Sequence, residues 1–166
     1  MPGSFALLLV SALWVASTAA ADKASLVGRP APDFALRSVN GPNVRLSEQR
    51  GDVVVVSFWS SRCSTCRAYL QELEQLRDGL RKDNLVVYAV NVDDDVQAAR
   101  EFAAGLRVSY PLLLDPAKTV ARAYRVDSLP LLVTIDRDGV VRNVWRETKS
   151  RGPKQADNEL RRLLAE

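Results

Sequence analysis

The segment Phe58-Trp59-Ser60-Ser61-Arg62-Cys63-Ser64-Thr65-Cys66 holds both cysteines of the chain, three positions apart. Two sulfurs at this spacing can close a disulfide, reopen it and exchange two electrons with another pair of sulfurs. The flanking sequence gives the spacing its meaning. Val53-Val54-Val55-Val56 with Phe58 has the composition of a strand buried on both faces. After the pair, Tyr69, Leu73, Leu76 and Leu80 recur at intervals of four and three, which predicts a helix over about residues 65–81. Cys63 then stands at a helix tip, where free backbone N–H groups and the positive end of the dipole stabilise a thiolate. Arg62 and Arg67 add positive charge nearby. Settings of this kind lower a thiol pKa from about 8.5 to between about 3.5 and 7.5. Cys63 is thus the candidate nucleophile, forming a mixed disulfide with a partner, and Cys66, one turn further in, the candidate resolving thiol. A purely structural disulfide is disfavoured, because this pair encloses almost no chain and restricts the unfolded state very little.

What the chain lacks narrows the chemistry further. It contains no histidine, which excludes imidazole proton shuttles and Ser–His or Cys–His nucleophile pairs. Two thiolates alone fall short of the four ligands of a structural zinc, and no metal or other cofactor is expected. Arg67 stands where a Cys-x-x-Cys-His haem attachment needs its histidine. A net charge of +3, only 7% aromatic residues and no basic-aromatic cluster exclude a nucleic-acid partner.

The remaining elements form an alternating α/β pattern. Short apolar stretches at 34–36 and 44–46 flank a turn at Asn40-Gly41. Strands are predicted at 85–90, 111–114, 131–135 and 140–145, the last two joined by the turn Asp136-Arg137-Asp138-Gly139. Asp93-Asp94-Asp95 is read as the cap of a helix reaching Gly105, with further helices at 117–124 and 154–164. Arg67, Gln71, Glu74 and Asp78 are read as the solvated face of the first helix, as is Glu72. One sheet with helices on both faces accounts for this order.

At the N-terminus an apolar run from Phe5 to about Ala16 ends in Ser17-Thr18-Ala19-Ala20-Ala21. Residues 1–21 are read as a secretory signal, with an uncleaved anchor as the alternative because no Lys or Arg precedes the run. Residues 22–166 then form one domain in a periplasmic or other extracytoplasmic compartment, where dithiols can oxidise. The basic C-terminal residues Arg142, Arg146, Lys149, Arg151, Lys154, Arg161 and Arg162 are read as solvent-facing.

Together these pieces resemble the thioredoxin superfamily, in particular its TlpA/ResA/CcmG-like extracytoplasmic branch, which is AhpC/TSA-redoxin-like. The residues that carry the resemblance, besides the Cys63–Cys66 pair, are Gly28-Arg29-Pro30-Ala31-Pro32-Asp33-Phe34-Ala35-Leu36, Gly41 through Leu46, Gly51 through Trp59, Tyr110-Pro111 to Asp115 with Ala123-Tyr124, and Ser128-Leu129-Pro130. The resemblance implies a thioredoxin-like three-layer sandwich with a central mixed sheet, an N-terminal extension and a central βα insertion. It implies a cis Pro130 beside Cys63, a Leu129 backbone that pairs with bound peptide, and Trp59 near the active loop, so that Trp59, Arg62, Leu129 and Pro130 form the substrate-binding set.

The sequence departs from the family pattern at several points. Arg62 replaces the usual Trp, and Ser64-Thr65 replaces a pair that often includes Pro. Ser57 and Tyr69 stand where relatives carry acids, which leaves no evident proton acceptor for Cys66. The implied activity is thiol–disulfide oxidoreduction on the cysteines of exported proteins by a monomer, with a membrane electron-donor protein. Arg62 favours an oxidant, because a stabilised thiolate makes the disulfide more oxidising. The family favours a reductant, as in cytochrome c biogenesis, and that is the reading adopted.

Two other classes compete with it. A thiol peroxidase would need Pro-x-x-x-Thr-x-x-Cys, but counting back from Cys63 gives Ser60 and Val56, and from Cys66 gives Cys63 and Trp59. A non-catalytic copper-handling module could use the pair for Cu(I), although no histidine is present to assist.

Overall fold

The computed structural model describes residues 25–80, 84–146 and 152–166. The expected signal at 1–21 lies outside these residues, as do position 81 at the end of the first predicted helix and the cations Lys149 and Arg151.

Seven strands make one sheet among the described residues: β1 Ala35–Ser38, β2 Val44–Arg45, β3 Val53–Trp59, β4 Leu85–Asn91, β5 Leu112–Leu114, β6 Leu131–Ile135 and β7 Val141–Arg146, in the order β2-β1-β5-β4-β3-β6-β7. The central β3–β4 and β4–β5 pairs are parallel, while β6 and β7 on one side and β1 and β2 on the other run antiparallel, so the sheet is mixed. Four α-helices among the described residues cover it: α1 Cys66–Leu80, α2 Val96–Ala104, α3 Thr119–Ala123 and α4 Asp157–Ala165.

β3 lies in the middle of the sheet, and every one of its residues is buried. Its side chains alternate between two cores. Val53, Val55 and Trp59 meet α1, α2 and α4 on one face, through Leu70, Leu73, Ala99 and Leu160. Val54, Val56 and Phe58 meet Phe34, Val120 and Tyr124 on the other. A strand with an apolar layer on each side has no polar face, hence the unbroken run in the sequence. The result is the expected three-layer α/β sandwich.

The structure corrects the sequence reading in three places. Of Asp93-Asp94-Asp95, only Asp95 caps α2, accepting from the backbone N–H groups of Gln97 (2.9 Å) and Ala98 (3.2 Å). Glu74 is not a solvated residue: the Ser109 hydroxyl (2.6 Å) donates to its Oε1 and holds it against the α2–β5 connection, and Arg77 of the same helix donates to that oxygen at 3.1 Å. The C-terminal helix begins as a 3-10 turn at Pro153–Ala156, where proline's missing N–H does no harm, before α4 takes over.

Candidate active site

β3 delivers the chain to the top of the sheet at Trp59, and α1 carries it away from Cys66. The loop between winds up one bond at a time: Cys63 N–H donates to Ser60 O (3.2 Å), Cys66 N–H to Cys63 O (3.2 Å), and Tyr69 N–H to Thr65 O (3.1 Å). Cys63 and Cys66 are joined by a disulfide, their Cα atoms 5.3 Å apart. The two sulfurs differ in access. Cys63 is partly exposed, whereas Cys66 is 0% exposed, packed with Trp59, Leu70 and Leu73.

Cys63 opens onto a groove of about 580 Å3, with Arg62 and Thr65 on its own side and Ser128 and Leu129 on the opposite wall. The Leu129–Pro130 peptide is cis, as the resemblance implies. Pro130 itself is buried, so the Leu129 side of this turn is what faces the groove. Arg62 is exposed at the rim.

One expected neighbour of the substrate, Trp59, stands elsewhere, and Arg67 is not on a solvated face. Trp59 is 0% exposed and stacks on Phe102 of α2, ring centroids 5.0 Å apart. It supports the loop from beneath and offers no surface to a visiting protein. The Arg67 guanidinium donates to Gly105 O (2.9 Å) and lies 4.2 Å from the Phe102 ring centroid, so it ties α1 to the end of α2. Lys118, which sequence reasoning missed, lines the groove instead, paired with Asp94 at 2.9 Å.

Asp93 was also missed. It is 8% exposed and lies below the loop. One carboxylate oxygen accepts from the Ser60 hydroxyl, and the other from Ser61 N–H (2.8 Å) and Asn91 Nδ2 (2.8 Å). Ser60 Oγ in turn accepts from Arg62 N–H at 3.1 Å. Burial pushes the Asp93 carboxyl up, but the hydrogen bonds from Asn91, Ser60 and Ser61 outweigh it and hold the group below the usual carboxylate range. An acid held in this way is an anionic clamp, poorly suited to shuttling protons. The signal in the sequence was the polar trio Ser60, Asn91 and Asp93 at the ends of two strongly apolar strands. Ser57 and Tyr69 are both buried and supply no carboxylate, and the Ser57 hydroxyl has no hydrogen-bond partner among the described residues.

Residues 27–144 match the AhpC/TSA family. The chain belongs to that family. It is 31% identical over 125 residues to the thiol-disulfide oxidoreductase ResA of Geobacillus kaustophilus, covering 75% of this chain and 72% of that one. It is 30% identical over 114 residues to ResA of Bacillus subtilis, covering 69% and 64%. Among solved structures it is similar to the Chlorobium tepidum chain assigned as thiol:disulfide interchange protein DsbE, with 29% identity, a TM-score of 0.68, and coverage of 84% of this chain and 96% of that one. The exposed lipoprotein thioredoxin Etrx1 of Streptococcus pneumoniae aligns at 28% identity and a TM-score of 0.67, over 78% and 100% of the two chains. This AhpC/TSA family member is a thiol–disulfide oxidoreductase with a thioredoxin-like fold.

Proposed function

We propose that Cys63 is the attacking thiolate and Cys66 the resolving thiol of an extracytoplasmic reductant acting on disulfides in exported proteins. The observation that carries these roles is the unequal access of the two sulfurs: Cys63 reaches the groove, while Cys66 is sealed behind it. A client disulfide is attacked by Cys63, giving a mixed disulfide and one client thiol. Cys66 then attacks Cys63, releasing the second client thiol and closing the pair. Arg62 at the rim and Leu129 across the groove would hold the client, with Pro130 fixing the turn beneath Leu129.

An export signal in residues 1–21 and a catalytic domain over 22–166 agree with the apolar run and its small-residue end, and with the exposed lipoprotein named among the structural neighbours. A membrane electron donor would restore the dithiol, and a role in cytochrome c maturation would follow from the family resemblance noted in the sequence. A monomer suffices, because the groove is built from one chain.

Iodoacetamide labelling of the reduced protein tests the assignment: Cys63 should alkylate well before Cys66. Cys66→Ser should accumulate mixed disulfides with client proteins, and Cys63→Ser should not. Equal labelling of the two sulfurs would overturn the roles. A reduction potential below about −250 mV would support the reductant reading, and one near about −120 mV would reverse it.

A further inference from the structure

The groove in front of Cys63 does not end at Lys118. Lys118, Ala121, Val126 and Asp127 also line a second depression of about 650 Å3, so the two adjoin. The floor of the second is apolar. Leu26, Val126 and Val144 are only partly buried there, packed on the core that contains Phe34 and Tyr124. Val27, beside Leu26, is the one exposed large apolar side chain among the described residues, at 44%.

The rim is basic. Across the double groove five cations (Arg62, Lys118, Arg122, Arg125 and Arg146) accompany a single lining carboxylate, Asp127. Asp127 already pairs with Arg146 at 3.0 Å, and Lys118 with Asp94 outside the lining. Arg62 and Arg122 have no ion pair among the described residues, and the Arg122 guanidinium reaches only the Thr119 hydroxyl, at 3.5 Å. Positive charge is therefore left over in both depressions, beside the apolar floor of the second.

We propose that the double groove receives an extended client segment in which the reactive cysteine is flanked by an apolar residue and then by acidic ones. The cysteine would lie at Cys63, the apolar side chain on the Val126–Val144 floor, and the carboxylates against Arg122 and its neighbours. This rests on the roles proposed above for Cys63 and Cys66. A low-dielectric groove lined by one sign of charge concentrates ligands of the opposite sign and accelerates their capture, and salt screens the effect.

The test uses the full chain, reduced, with three oxidants: hydroxyethyl disulfide and two peptides that each contain an internal disulfide and an apolar residue. One peptide is flanked by glutamates, the other by lysines. In each reaction the Cys63–Cys66 dithiol gives two electrons and two protons, the oxidant becomes two thiols, and the protein disulfide closes; acid quenching and mass spectrometry follow it. At low salt the glutamate peptide should react about tenfold faster than the lysine peptide. The ratio should fall toward one near 1 M salt, roughly the point where charges beyond 3 Å are screened. Arg122→Glu should lower the low-salt ratio by about threefold or more. If hydroxyethyl disulfide does not oxidise the pair, the reading of Cys63 and Cys66 fails and this inference with it. If it does, but the two peptides react equally at low salt, the inference alone is overturned and the groove has another occupant. A ratio untouched by Arg122→Glu also overturns it.

Discussion

The Asp93 carboxylate accepts a hydrogen bond from the Ser60 hydroxyl across the top of the sheet, and so joins the end of β4 to the loop that carries Cys63. Because Ser60 Oγ also accepts from Arg62 N–H, the chain is anchored one residue before the sulfur. Asp93→Ala would leave the Ser60 hydroxyl, Ser61 N–H and Asn91 amide without their acceptor in a buried setting. Leaving buried donors unpaired should lower stability by about 2–3 kcal/mol, and Asp93→Asn, which keeps one acceptor oxygen, by less. Urea unfolding of the oxidised proteins measures both. If alanine were as well tolerated as asparagine, Asp93 would only be filling space.

The same carboxylate gives a pH dependence of known sign. Its folded pKa lies below the usual value of about 3.9. The folded state therefore binds its proton less readily than the unfolded chain does. The stabilisation is present above about pH 4 and is lost as pH falls through the folded value. The stability gap between wild type and Asp93→Asn should accordingly be constant from neutral pH down to about pH 5 and shrink in stronger acid. Unfolding curves collected along that series check it. A gap that widened on acidification would mean the carboxyl is stabilised in its protonated form.

Most of the frame could be read from residue types alone. β3 announced itself because a central strand needs apolar residues on both faces, and α1 because its buried stripe repeats with helical period. Asp93 was misread because an acid before a helix is ordinarily a cap, and Asp95 does cap α2. Only the approach of β3 to β4, with Trp59 opposite Asn91, shows that Asp93 faces the loop. Lys118 and the second depression were equally invisible, since they depend on α3, the segment around Leu26 and β7 lining one hollow. Contacts between elements distant in sequence carry no local signature. Glu74 illustrates this: its spacing on α1 is that of a surface residue, yet Ser109 lies over it.

Tyr110 offers a test of the packing behind the site. Its hydroxyl donates to Leu70 O at 2.7 Å, within α1. Burial pushes this phenol well above its ordinary range, so it remains a donor at neutral and mildly alkaline pH. Tyr110→Phe removes one neutral hydrogen bond and keeps the ring, which should lower stability by about 1 kcal/mol. The rate with hydroxyethyl disulfide should be unchanged, since Tyr110 does not line the groove. A large fall in that rate would show that the bond to Leu70 controls the position of the Cys66 turn.

Asp115 holds the opposite wall. It is almost fully buried after β5, and its two carboxylate oxygens accept from the backbone N–H groups of Thr119 (2.9 Å) and Ala121 (2.8 Å). α3 is only five residues long, and its N-cap, Lys118, makes no side-chain capping bond. A helix this short has few bonds of its own, so Asp115 supplies the capping from three residues before Lys118. Asp115→Ala should lower stability by about 1–2 kcal/mol, in the range of a lost cap. It should also slow oxidation by disulfide peptides more than oxidation by hydroxyethyl disulfide. Lys118 and Ala121 line both depressions, and a frayed α3 displaces them, while the Cys63 sulfur stays on its own loop. Paired rate measurements on one preparation of Asp115→Ala give the comparison. Equal slowing of both oxidants would mean that α3 supports the sulfur loop itself, and that its role reaches beyond the client wall.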